Sequence, residues 1–135
     1  MTTSADQLLA VGRKLADLCR EGKNFEAIET LYSDDIVSIE AAEMPGHPRR
    51  LDGKQAILEK TRWFFENHQI HGGEVKGPYP AGDCERFALW MSLDVTPKVG
   101  PMAGNRMQIE EVCLYTVQHG KITEEEFLYD MTGGA

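Results

Sequence analysis

At 135 residues, with 41% hydrophobic and 27% charged side chains, the chain has the length and composition of one globular domain around a single core. Its net charge of −8, with Arg49-Arg50 as the largest basic cluster, argues against a nucleic-acid partner, because phosphate contacts need a clustered positive face. No apolar run approaches the ~20 residues that cross a bilayer, so no membrane association is expected, and three scattered cysteines without a C-x-x-C pair suggest neither a disulfide framework nor a zinc site.

The opening "MTTSADQLLAVGRK" lacks a basic stretch followed by an uninterrupted apolar one, so a soluble, cytoplasmic protein is expected. Ser4-x-x-Gln7 has the form of a capping box, and Leu8, Val11, Leu15 and Leu18 follow at helical spacing. That first helix reaches about Glu21, where Gly22 stops it. Asn24 is read as the cap of a shorter second helix with Phe25, Ile28, Leu31 and Tyr32 on one face, ended by Ser33-Asp34-Asp35. From Ile36 the β-branched pattern "IVSIEAAE" predicts a strand.

"MPGHPRR" reads as a loop because two prolines and a glycine forbid regular structure. Asp52-x-x-Gln55 opens a third helix with Ile57, Thr61, Phe64, Phe65 and His68 on one side, and "HGG" follows as a breaker. The rest is strand-like. "GEVKGPYP" reads as short and interrupted, whereas "RFALWMSLDV" alternates, with Phe87, Leu89, Met91, Leu93 and Val95 on one face. "NRMQIEEVCLYTVQHGKITEEEFLYDM" holds two strands joined at "HGK", a hairpin signal. Helices first and antiparallel strands after is the α+β order, with residues 1–135 forming one domain.

The strings "NFEAIETLYSDDIVSIE", "LDGKQAI" and "HGKITEEEFLYD", in this order of elements, resemble the nuclear transport factor 2-like superfamily, which includes ketosteroid isomerases and SnoaL-like polyketide cyclases. The resemblance spans roughly Leu8 to Met131. It implies a cone-shaped, curved antiparallel β-sheet wrapped around three N-terminal helices, an apolar pocket at the open end, and a homodimer formed through the outer sheet face. By register with the ketosteroid isomerases, Glu40 lands on the position of their proton-shuttling aspartate. The resemblance departs from that family at Ala16 and at or next to Val112, where the isomerases carry oxyanion donors. At Phe127 it departs from the epoxide hydrolases, which carry an acid there. Both named reactions are therefore disfavoured.

If Val112 faces inward, strand phase carries Glu110 and Leu114 with it, and Phe127 and Tyr129 share the inward phase of the last strand. The resulting site has Glu40, Glu110 and Tyr129 as acid, base and hydrogen-bond donor, and Phe64, Phe65, Met91, Val112, Leu114 and Phe127 as ligand-binding walls. A bulge would bring Glu111 inward in place of Glu110. His68 and His71 lack a third ligand in sequence, so no metal is expected, and His68 is read as a helix C-terminal residue. His47 and Arg49 lie in the loop near the mouth of such a cone. Asp130 is assigned to the surface or an interface, and Glu124-Glu125-Glu126 to a strand with a solvated face.

Two functional classes stay open. One is a small acid–base isomerase, cyclase or hydrolase acting, without a cofactor, on a small apolar, carbonyl-bearing or polycyclic molecule. The other is a non-catalytic ligand-binding or protein-interaction module.

Overall fold

The first turn of helix α1 (Ala5–Arg20) is built as the sequence predicts: Gln7 N donates to Ser4 Oγ at 3.1 Å and Ser4 N donates back to Gln7 Oε1 at 2.9 Å. The protein is described here from a computed structural model over residues 4–43 and 46–130. Gly22, with φ +72°, takes the left-handed conformation that ends α1. Helix α2 (Asn24–Leu31) follows with Lys23, not Asn24, in the capping position; the Asn24 amide instead reaches Cys19 Sγ at 3.8 Å.

Strand β1 (Tyr32–Ile39) starts at Tyr32, earlier than the β-branched run suggests. A register irregularity between Tyr32 and Val37 takes up the Ser33-Asp34-Asp35 segment. A short strand β2 (Arg50–Asp52) pairs antiparallel to β1 within a stretch read as loop and helix cap. Gly53, with φ +95°, then turns the chain into α3 (Lys54–Glu66), and its N–H donates to the Ile36 carbonyl at 2.7 Å.

β3 (His68–Pro80), β4 (Arg86–Pro97), β5 (Met107–Gln118) and β6 (Lys121–Leu128) complete a six-stranded sheet in the order β2-β1-β6-β5-β4-β3. The sheet is mixed, not antiparallel throughout, because β1 runs parallel to β6. Residue patterns within a strand carry no information about which distant strand lies beside it, so this pairing was not foreseen. The "HGG" segment is not a breaker either: Gly72 and Gly73 pair with Asp94 and Leu93. A Cβ on Gly73 would sit 2.6 Å from the Ser92 carbonyl oxygen, so a close backbone approach explains that glycine. Pro78 and Pro80 are tolerated because β3 is an edge strand with no neighbour beyond it.

Register shifts in the β1–β6, β3–β4 and β5–β6 pairs bend the sheet, which is curved and unclosed, over the helices. Leu8, Leu15, Ile28 and Ile57 from the helices meet Ile36, Phe87, Leu89, Cys113, Tyr115, Val117 and Ile122 in one core. The Phe87 and Tyr115 rings, cross-strand partners, stack at 5.0 Å. Among the described residues no helix is long and apolar enough to cross a membrane.

β4 shows the expected phase, and its pairings fix that of β5. Met91 lies opposite Glu111, Leu89 opposite Cys113 and Phe87 opposite Tyr115. Glu111, Cys113 and Tyr115 therefore share the inner face, whereas Glu110, Val112 and Leu114 lie on the outer one, with Val112 40% exposed. This reverses the inward placement of Glu110, Val112 and Leu114. Alternation along Cys113, Tyr115 and Val117, all buried, outweighs the register taken from the resemblance. In β6 a bulge leaves Thr123 without a partner between Ile122, opposite Val117, and Glu124, opposite Thr116. Beyond it Glu125 and Phe127 face inward.

Candidate functional site

Glu40 leaves β1 directly onto the inner side of the sheet. Its backbone is pinned to the returning chain: its N–H donates to the Arg49 carbonyl at 2.8 Å, and Arg49 Nε donates to its carbonyl at 2.9 Å. Both side-chain oxygens are engaged. Lys60 Nζ lies 2.7 Å from Oε1, and Tyr129 donates to Oε2 at 3.0 Å. The Glu40 side chain is 25% exposed and that of Lys60 21%, so the pair is partly sheltered. Glu40 and Tyr129 thus meet directly, as the sequence suggests, and a cation that it did not single out holds the other Glu40 oxygen.

Lys60 reaches the site because Ile57, Lys60 and Phe64 recur at three- and four-residue spacing along α3. Its ammonium donates also to Ser38 Oγ at 3.2 Å and lies 5.1 Å from the centre of the Phe127 ring. Ser38 donates to Glu125 Oε2 at 2.7 Å, and Tyr32 donates to the other oxygen of Glu125. Glu125 is only 2% exposed, which corrects the reading of the Glu124-Glu125-Glu126 run for its middle member. Burial holds its carboxyl above the ordinary range, against the pull of Lys60 and the bonds from Tyr32 and Ser38. Helical spacing was the available signal for Lys60, and for Glu125 it was the phase of Phe127, two residues further along the strand.

A hollow of about 60 Å³ opens on this inner face, lined by Phe64, Met91, Leu93, Ile109 and Glu111. Burial pushes the Glu111 carboxyl up to about 7, and the nearby Glu40 charge adds to the effect. A hydrogen bond with Cys113 and the Lys60 charge oppose it. Tyr129 is pushed up to about 12 by burial and by its contact with Glu40. The acid on the apolar wall is thus Glu111; Glu110 is exposed.

Of the other expected walls, Phe64 and Met91 line the hollow, and Phe127 packs against the core beneath Lys60. Phe65 turns toward α2 and packs on Phe25 at 6.1 Å, because it lies one residue round the helix from Phe64. His68 Nδ1 donates to the Phe64 carbonyl, 2.8 Å away, and the imidazole stacks on the Phe64 ring at 4.1 Å, holding that wall. His71 meets Thr96 Oγ1 at 2.7 Å, and His47 packs on Trp63 at 4.3 Å. No group of three or more His, Cys, Asp or Glu among the described residues gathers at metal-binding distance.

The curved sheet over three helices has known counterparts. The SnoaL-like domain model matches residues 5–129, and the chain belongs to the SnoaL-like family. A protein from Mesorhizobium loti, described provisionally as a SnoaL-like polyketide cyclase and also as a carbohydrate phosphatase, is 44% identical with a TM-score of 0.80, the match covering 89% of this chain and 97% of that one. A provisional polyketide cyclase from Xanthomonas campestris has a TM-score of 0.71 at 12% identity, covering 96% and 95% of the two chains. A provisional isomerase from Bacillus subtilis has a TM-score of 0.72 at 14% identity, covering 95% and 90%. The last two share the fold alone. None of the curated proteins matches the chain.

Proposed function

We propose that the protein is an acid–base catalyst of proton transfer at a carbon next to a carbonyl, with Glu111 as the group that takes and returns the proton. The supporting observation is a carboxyl on the wall of an otherwise apolar hollow, pushed up to about 7 by burial and by Glu40. A general base works best when its proton affinity lies near the working pH. In the forward step the Glu111 carboxylate removes the carbon-bound proton, the electron pair becomes the enolate double bond, and negative charge collects on the carbonyl oxygen. Return of the proton to another carbon completes an isomerisation; attack of the enolate carbon on a second carbonyl completes a cyclisation. Lys60, which carries three protons for its two acceptors Glu40 and Ser38, is the nearby donor that favours the charged oxygen. All of this chemistry is assigned to side chains.

The ligand is small and apolar. A 60 Å³ hollow is far below the ~300–1,000 Å³ of sites for drug-sized molecules. Anything much larger than a single ring, a polycycle above all, requires Phe64 or Met91 to change rotamer. A second copy of the chain on the outer sheet face belongs to the same reading. There Trp90, Val112 and Leu128 lie side by side across β4, β5 and β6.

The test is deuterium incorporation into cyclohexanone in D2O, followed by NMR. The protein should accelerate exchange at the α-carbons, and Glu111→Gln should slow it by about 10²–10⁴-fold, while Glu110→Gln changes nothing. Equal rates in Glu111→Gln and wild type would reject the assignment. A purely ligand-binding role is favoured by the full engagement of Glu40; it would appear as chemical-shift changes at the Met91 methyl on adding cyclohexanone, with no deuterium taken up.

A further inference from the structure

An unbroken run of contacts links Tyr32, Glu125, Ser38, Lys60, Glu40 and Tyr129 across β1, β6 and α3. Its inner half is deeply buried: Tyr32 is 5% exposed and Ser38 1%. Ser38 has a single hydroxyl proton, which goes to Glu125 at 2.7 Å, so it meets Lys60 with a lone pair at 3.2 Å. Lys60 therefore has two fixed acceptors, Ser38 on one side and Glu40 on the other. A buried acid is a poor stabiliser compared with an apolar side chain of similar volume, so its presence calls for another reason. Among the described residues no ion pair includes Glu111, the acid that faces the hollow.

We propose that Ser38 and Glu125 are positioning residues that mount the Lys60 ammonium against Glu40, so that one cation is held at a fixed place among three carboxylates and the pocket acid has none of its own. The proposal rests on the reading of Glu111 as the proton-transfer group. A lysine side chain left to itself samples many rotamers; acceptors at 2.7 and 3.2 Å confine this one. The groups that Glu111 feels come from every neighbouring element. Glu40 after β1 and Glu125 in β6 oppose its ionisation, whereas Lys60 in α3 and the bond with Cys113 in β5 favour it. Cys19 in α1 and Tyr129 after β6 in turn feel its charge. Where Lys60 sits therefore tunes the pH at which Glu111 exchanges its proton.

The full chain labelled with ¹³C at the glutamate carboxyl carbons provides the test, since the Glu111 titration midpoint is read without any substrate. Lys60→Met should raise that midpoint by about one pH unit, because the favourable cation is gone. Ser38→Ala should move it the same way by a smaller amount, and Ser38→Thr, which keeps the hydroxyl, should restore it. Ser38→Cys, similar in shape but a weak hydrogen-bond partner, carries the same expectation if the alanine variant does not fold. An unchanged midpoint in Ser38→Ala or Ser38→Cys beside a raised one in Lys60→Met overturns the mount; no change in Lys60→Met overturns the coupling as well. Shifted midpoints without deuterium exchange in the wild type would sink the proposed function and leave the mount standing.

Discussion

Glu110 and Glu111 are chain neighbours with opposite surroundings, one exposed on the outer face and one against Phe64, Met91, Leu93 and Ile109. The difference has a thermodynamic consequence. The Glu111 carboxyl rises from 4.5 to about 7 on folding, so the folded chain binds this proton more tightly than the unfolded one. Its contribution to stability is therefore complete below about 4.5 and is lost as pH climbs through about 7. Glu125, also raised, acts with the same sign. Urea unfolding should show a higher midpoint at pH 5 than at pH 8 from this source, and Glu111→Gln should narrow the gap; an unaltered gap would mean that Glu111 is solvated. Glu125→Ala should cost about 3 kcal/mol in the same experiment, since Tyr32 and Ser38 both lose their buried acceptor.

At the scale of elements, the site depends on how closely α1 approaches the sheet and on where β6 changes phase. Gly12 sets the first: a Cβ there would lie 2.7 Å from Pro78 Cβ and 3.2 Å from the Phe87 ring. Gly12→Ala is expected to push α1 away from β3 and β4 and to cost about 1–3 kcal/mol by thermal or urea unfolding. The β5–β6 hairpin turns through His119 and Gly120, with φ +53° and +77°, the positive pair that a tight two-residue turn requires. It was legible as "HGK". The bulge three residues later was not, although it is what lets Ile122 and Glu125, three residues apart, both point inward. Nothing in "KITEEEF" marks Thr123 as the extra residue, because a bulge is set by the partner strand as much as by its own.

For the whole molecule, the outer sheet face is where the proposed second copy would sit. Trp90, Val112 and Leu128 are lateral neighbours there, with Val112 and Leu128 each about 40% exposed, and Lys76 covers the Trp90 ring at 4.6 Å. A homodimer through this strip is expected by sedimentation equilibrium. Val112→Glu, which places two like charges near each other across such an interface, should give a monomer with an unaltered circular dichroism spectrum. A wild-type monomer at all concentrations would reject the interface.

By itself the sequence determined the three helices, the alternating strands after them and the inward face of "RFALWMSLDV", because periodicity is local; the resemblance and the phase of the last strand placed Glu40 and Tyr129 in one pocket. Only the tertiary structure decided that β1 lies parallel to β6, that Glu111 replaces Glu110 on the inner face, and that Lys60 and Glu125 join Glu40. The strand facts follow from pairing and a bulge, and Lys60 from the packing of α3 against β1; all depend on contacts between distant residues, as many as 93 positions apart. A one-residue change of phase reverses which side chains meet the hollow.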